Sequence, residues 1–131
     1  MTESRYDSGM KMRKEVMGSE YVEQKQRSIT EFDADFQRFI TETAWGSVWA
    51  RPELDLRTRS LVTVAILAAL GRDELVPHLH ASHNIGVDPQ EIKEVLLHVA
   101  IYAGVPAANT AFSLAKKEFD AQTPPPEENQ Q

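Results

Sequence analysis

At 131 residues, 41% of them apolar and 26% charged, the chain suits one globular domain with a modest core. Twenty Asp and Glu against fourteen Lys and Arg leave a net charge of −6, and no basic cluster interrupts it, which argues against nucleic acid as a partner. Cysteine is absent, which rules out disulfides, thiol catalysis and thiolate metal sites, and no run of about eighteen apolar residues offers a membrane span.

The opening MTESRYDSG lacks the basic-then-apolar order of a signal peptide, so a cytoplasmic location is expected. Residues 1–27 read as a polar N-terminal helical arm, with a short helical pattern around Met10, Lys14 and Met17 that stops at Gly18. Thr30 is the expected N-cap of the next helix, with Asp33 three residues on. Phe32, Phe36, Phe39 and Ile40 then fall on one helical stripe. Ala44 and Gly46 are expected to end that helix, and Trp45, Gly46, Trp49, Arg51 and Pro52 to form an aromatic-rich connector.

Asp55 is placed to cap a further helix. Its 60–70 stretch, SLVTVAILAAL, is rich in Ala and Leu and favours a helix buried on most sides over a strand. Gly71 is a natural terminator. Asp73 is expected to cap the segment that follows, with Pro77 at the edge of what a first turn tolerates and Gly86 at its end. Asp88, Pro89 and Glu91 make a strong start signal, and Ile92, Val95, Leu96, Val99 and Ala103 share a face behind it. Gly104 and Pro106 break or kink the chain before a final helix over 107–119. The tail, 121–131, is too polar and proline-rich to pack and is expected to be disordered. No segment alternates with period two, so the class is all-α: a compact subunit over 28–120 of five or six helices in antiparallel hairpins. So many nearly all-apolar helices suggest that a subunit interface takes up part of their surface.

The stretch 71–86, GRDELVPHLHASHNIG, gathers Glu74, His78, His80 and His83, every histidine but His98. His80 and His83, three apart, share a helix face. His78 and His80 stand about 200° apart, and His78 and His83 about 140° apart, at the helical pitch. Two ligands at most converge, short of the three or four that zinc needs, so no metal site is expected. Glu74 and His78 are four apart, which puts both on one face. A carboxylate there raises the imidazole pKa and makes it a proton donor near neutrality. The same spacing also makes an ordinary surface ion pair, and spacing alone leaves both readings open.

Arg51, Arg57 and Arg59 flank the start of the apolar helix, and guanidinium binds carboxylate in bidentate fashion. Arg59 precedes a buried run, where a charged head is costly unless paired; it either snorkels to solvent, caps Asp55 or meets a ligand. Trp45 and Trp49 read as core or interface fillers, and Tyr102 as a buried tyrosine seeking one partner for its hydroxyl.

Two stretches, WGSVWARPELDLRTRSLVTVAIL and ELVPHLHASHNIGVDPQEIKEVLLHVAIYAGVPAANTAF, resemble the carboxymuconolactone decarboxylase family over about residues 30–120, with HNIGV and IYAGVPAANTAF the distinctive pieces. The wider family is similar to alkyl hydroperoxide reductase partner proteins, which carry a Cys-x-x-Cys followed by a histidine before a Gly-Val turn. Anchored on Gly86 and Val87, that pattern puts the family histidine at His78 and the two cysteines at Gly71 and Glu74. Disulfide peroxidase chemistry is therefore impossible, and a proton-transfer site replaces it. Arg59 takes the place of the peroxidase branch's upstream acid.

The resemblance implies an all-helical subunit, a homohexamer built from dimers, and neither metal nor organic cofactor. It implies decarboxylation of gamma-carboxymuconolactone to 3-oxoadipate enol-lactone and carbon dioxide in protocatechuate breakdown. The expected catalytic residues are then His78, Glu74 and Arg59. Arg51, His80, His83, Trp45, Trp49 and Tyr102 are the expected substrate-binding residues. The rival expectations are a non-catalytic oligomeric protein that binds a small ligand on the same scaffold, and a lyase or isomerase acting on a related lactone or acid.

Overall fold

The computed structural model describes residues 3–122. These form seven α-helices and one π-helical segment, with no strand among the described residues: α1 (Arg5–Met17), α2 (Ser19–Arg27), α3 (Ala34–Ile40) running on into the π-helix (Thr41–Trp49), α4 (Leu56–Leu70), α5 (Leu75–Asn84), α6 (Pro89–Tyr102) and α7 (Val105–Gln122). The class is the expected all-α one, with slightly more helices than the five or six read from the pattern. Residues 123–131 of the expected tail lie outside the described residues.

The boundaries follow local chemistry. Asp55 Oδ1 accepts the Thr58 N–H at 2.7 Å and starts α4, and Gly71, at φ 66° and ψ 40°, ends it. Asp88 and Glu91 form a reciprocal capping box at the head of α6, with Pro89 in its first turn. Three boundaries differ from the sequence pattern. Thr30 does not cap: Asp33 Oδ1 instead accepts the Thr30 N–H at 2.7 Å, and α3 begins at Ala34. Asp73 does not cap α5, which starts later, at Leu75, with Glu74 at the N-cap position. That later start leaves Pro77 in the first turn, where no N–H is needed. Helix α7 begins at Val105, so Pro106 sits in its first turn as well.

The largest difference is at 41–49. Gly46 does not end the helix; α3 widens into a π-helix in which the Ala50 N–H reaches the Trp45 carbonyl, five residues back, at 3.0 Å. Gly46 serves close approach instead. A Cβ there would lie 2.5 Å from the Arg5 carbonyl oxygen, and a Cβ on Gly9 would overlap the Thr41 carbonyl oxygen. Helix α1 therefore crosses the π-helix backbone to backbone, through a glycine on each side. The crossing also buries Arg13, whose Nη1 donates to Thr41 Oγ1 at 3.4 Å.

Two apolar clusters result. One joins Val64, Leu79, Ile92, Leu96 and Ala111 from α4, α5, α6 and α7. The other joins Val16, Met17, Val22, Trp45, Trp49 and Ala81. Helix α5 runs between them, with Leu75 and Leu79 facing the first cluster and Ala81 facing the second. Phe32, Phe36 and Phe39, expected on one helical stripe, are 98%, 59% and 62% exposed, and α3 buries no side chain within the chain.

Candidate active site

Positions 78 and 81 of α5 and 85 at its C-cap fall three and four apart, so they share one side. Ala81 and Ile85 on that face pack into the cluster around Trp45 and Trp49, and His78 faces the same indoles. The π-helix carries both indoles, and Trp45 and Trp49 stack with ring centroids 4.9 Å apart and planes 27° apart. The His78 ring lies nearly parallel to both, 6.4 Å from Trp45 and 6.3 Å from Trp49, at 12° and 15°. Trp45 and Trp49 are thus core fillers, as read from the sequence, and also a wall for this histidine.

His78 is half-buried. Burial pushes its pKa below the ordinary 6.5, and the Glu74 carboxylate raises it by less. This corrects the expectation that Glu74 would lift the imidazole. Glu74 stands one turn earlier, as the spacing required, but its side chain is exposed, and among the described residues no ion pair or hydrogen bond joins the two. Desolvation against two indoles outweighs a carboxylate that stays in water.

Arg59 is half-buried near the start of α4. Its Nη2 donates to the Arg51 carbonyl at 3.2 Å, two residues beyond Trp49, which holds the guanidinium at the end of the tryptophan segment. Its Nε is buried with no hydrogen-bond partner, an arrangement that leaves donor capacity for an anionic ligand. Arg51 is exposed and lies 3.9 Å from Glu53.

The other sequence-derived candidates are not gathered around His78. His80 is exposed and pairs with Glu118 of α7 at 2.7 Å, on the rim of a 470 Å³ groove also lined by Met17, Tyr21 and Asn84. His83 is exposed. Tyr102 is not buried; it is 80% exposed and packs at a tilt of 35° against His98, with ring centroids 4.8 Å apart, beside an apolar groove of 620 Å³ between α4 and α6. Among the described residues no group of three or more His, Asp or Glu side chains is placed to hold a metal ion. Sequence reasoning missed Asn84, whose Nδ2 donates to the Val16 carbonyl at 3.0 Å and ties α5 to α1 beside the tryptophan cluster. Its position six residues past His78 carried no signal, because its partner lies 68 residues away.

Residues 34–117 match the carboxymuconolactone decarboxylase family. The chain is 49% identical over 118 residues to a 4-carboxymuconolactone decarboxylase of Acinetobacter baylyi, covering 89% of this chain and 88% of that protein. It is 44% identical over 118 residues to a nitrosuccinic acid decarboxylase of Metarhizium robertsii, covering 88% and 81%. With the family matched over most of the chain and near-half identity across both lengths, the chain belongs to the carboxymuconolactone decarboxylase family.

Proposed function

We propose that this protein is a carboxy-lyase that converts 4-carboxymuconolactone to 3-oxoadipate enol-lactone and carbon dioxide, in protocatechuate breakdown. The observation that carries the reading is 49% identity to a protein of that activity across nearly the whole of both chains. The second relative supports the chemistry. Nitrosuccinic acid, like the lactone, is a diacid with an electron-accepting group within reach of the departing carboxylate. In the lactone, the electrons left by carbon dioxide pass through the ring double bond to the carbonyl and give an oxyfuran-like dienolate. The substrate carries its own electron sink, which leaves the protein to bind, orient and protonate.

His78 supplies the proton. The C–C bond to the carboxylate breaks, its electron pair delocalises onto the ring and carbonyl oxygen, and a proton from His78 forms the new C–H bond at the carbon beside the carbonyl. In the free protein burial favours the neutral imidazole and lowers its pKa. The two carboxylates of the arriving substrate favour its protonated form, and carbon dioxide loss moves one of those charges onto the ring, where the dienolate takes the proton. Arg59, with an unpartnered Nε and its Nη2 on the Arg51 carbonyl, binds the acetate carboxylate, and Arg51 is the second candidate for a substrate carboxylate. Glu74 acts through its field on His78.

The protein works as a homo-oligomer, in the hexameric form of its family. The exposed Phe32, Ile101, Tyr102 and Val105 side chains, 69–98% accessible in the single chain, support burial between copies. A cytoplasmic location fits the described residues, among which no helix is long and apolar enough to cross a membrane.

The test is carbon dioxide release from the purified lactone, followed together with loss of its absorbance. One carbon dioxide per lactone is expected, at an undiminished rate in the presence of a chelator. Saturable lactone binding without carbon dioxide would establish a binding protein instead.

A further inference from the structure

Resting on His78 as the proton donor, we propose that Trp45 and Trp49 are its positioning residues: the stacked indoles fix the plane of the imidazole and close one side of it to water, so that the substrate meets the ring from the open side alone.

The geometry is unusual for a half-buried helix histidine. Three rings from two elements more than 28 positions apart lie within 27° of parallel. Both tryptophans are almost fully buried, so neither can swing away without opening the core they share with Val16 and Ala81. Stacked and buried together, the pair forms a single wall. The indoles stack on each other, and the imidazole lies nearly parallel to both. His78 has no hydrogen-bond partner among the described residues to set its ring plane, so packing must do so.

The lowered pKa of His78 agrees with this wall, since burial is its chief cause. Of the charged groups on surrounding elements, Glu74 acts on the ring from the start of α5. Arg13 of α1 is engaged by Thr41, Arg59 of α4 by the Arg51 carbonyl, and Glu118 of α7 by His80. A histidine so placed is a strong acid once the substrate has charged it. A proton aimed at one ring carbon needs a fixed ring orientation, and misplacement of about 1 Å costs as much as 100-fold in rate.

The test is an NMR titration of the His78 ring in the full-length protein, compared for wild type, Trp49→Phe, Trp49→Leu and Trp45→Leu. In wild type the His78 ring protons should be displaced by the ring currents of two indoles. In Trp49→Leu, which keeps apolar volume but loses the aromatic face, the ring should titrate closer to an ordinary histidine. The pH at which kcat/KM breaks should move up with it, and kcat/KM should fall at least about tenfold. Trp49→Phe should restore most of both. A folded Trp49→Leu whose His78 titrates as in wild type would overturn the proposal. So would wild-type His78 ring protons without ring-current displacement, a measurement that needs no variant to fold. Either result leaves carbon dioxide release untouched, whereas His78→Gln with full turnover would remove His78 from the reaction and leave the stack in place.

Discussion

His78→Gln is expected to lower kcat on the lactone by roughly 100- to 10,000-fold, the range by which positioned general acids accelerate reactions. Glutamine keeps a hydrogen-bond donor of similar length but has no titratable proton. If His78 served only as a neutral donor to the lactone oxygen, much of the rate would survive. KM should change little, because Arg59 binds the carboxylate and His78 acts in the transition state. His80→Gln is the internal control: its ring is exposed and engaged with Glu118, and its loss should leave kcat near wild type. The measurement is steady-state decarboxylation by both variants, with circular dichroism to show that each remains folded. A His78→Gln variant within about threefold of wild type would remove the imidazole from the proton-transfer step.

The second large effect is on stability. Gly9→Ala should destabilise the protein by roughly 3 kcal/mol, since overpacking where neither side can yield costs that much. The new methyl would run into the Thr41 carbonyl and come within 2.9 Å of the Gly46 nitrogen, and both are backbone atoms. Relief requires α1 to lift away from the π-helix. That would expose Val16 and Met17, strip the cover from Trp45 and Trp49, and separate Arg13 from Thr41. A melting temperature lower by about 10 °C is expected from a thermal scan, with activity lost in parallel because the tryptophan wall of His78 moves too. A Gly9→Ala variant that melts with wild type would mean that the two helices do not cross in backbone contact.

Much of this architecture was legible because helix ends are local events. Asp55, Gly71, Asp88, Pro89 and Glu91 each act on residues within about one helical turn, so their spacing sufficed. Gly46 was misread because a glycine that ends a helix and a glycine that admits a crossing backbone look alike without the partner, here Arg5, 41 positions earlier. The phenylalanine stripe of α3 carried the right period but not its occupant: the pattern says that a face is apolar, not which surface covers it. His78 shows the same limit in electrostatics. Glu74, four residues away, was visible and pointed to a raised pKa. The indoles that desolvate the ring, 29 and 33 positions earlier, were not, and theirs is the larger effect. The spacing of His80 and His83 suggested candidates that the fold turns toward Glu118 and solvent.

The central claim is that a desolvated imidazole carries a proton to the carbon beside the carbonyl in the dienolate that carbon dioxide loss leaves. It is tested most directly by the pH dependence of kcat/KM for the lactone, which reports the free protein. The reactive form carries the proton, and burial holds its pKa below 6.5. The rate constant should therefore be flat at low pH and fall tenfold per pH unit above a break that lies below 6.5. That break should be absent from the residual activity of His78→Gln. A rate constant that instead rises with pH through that range would show that the neutral ring is the working form, and would contradict proton delivery by His78.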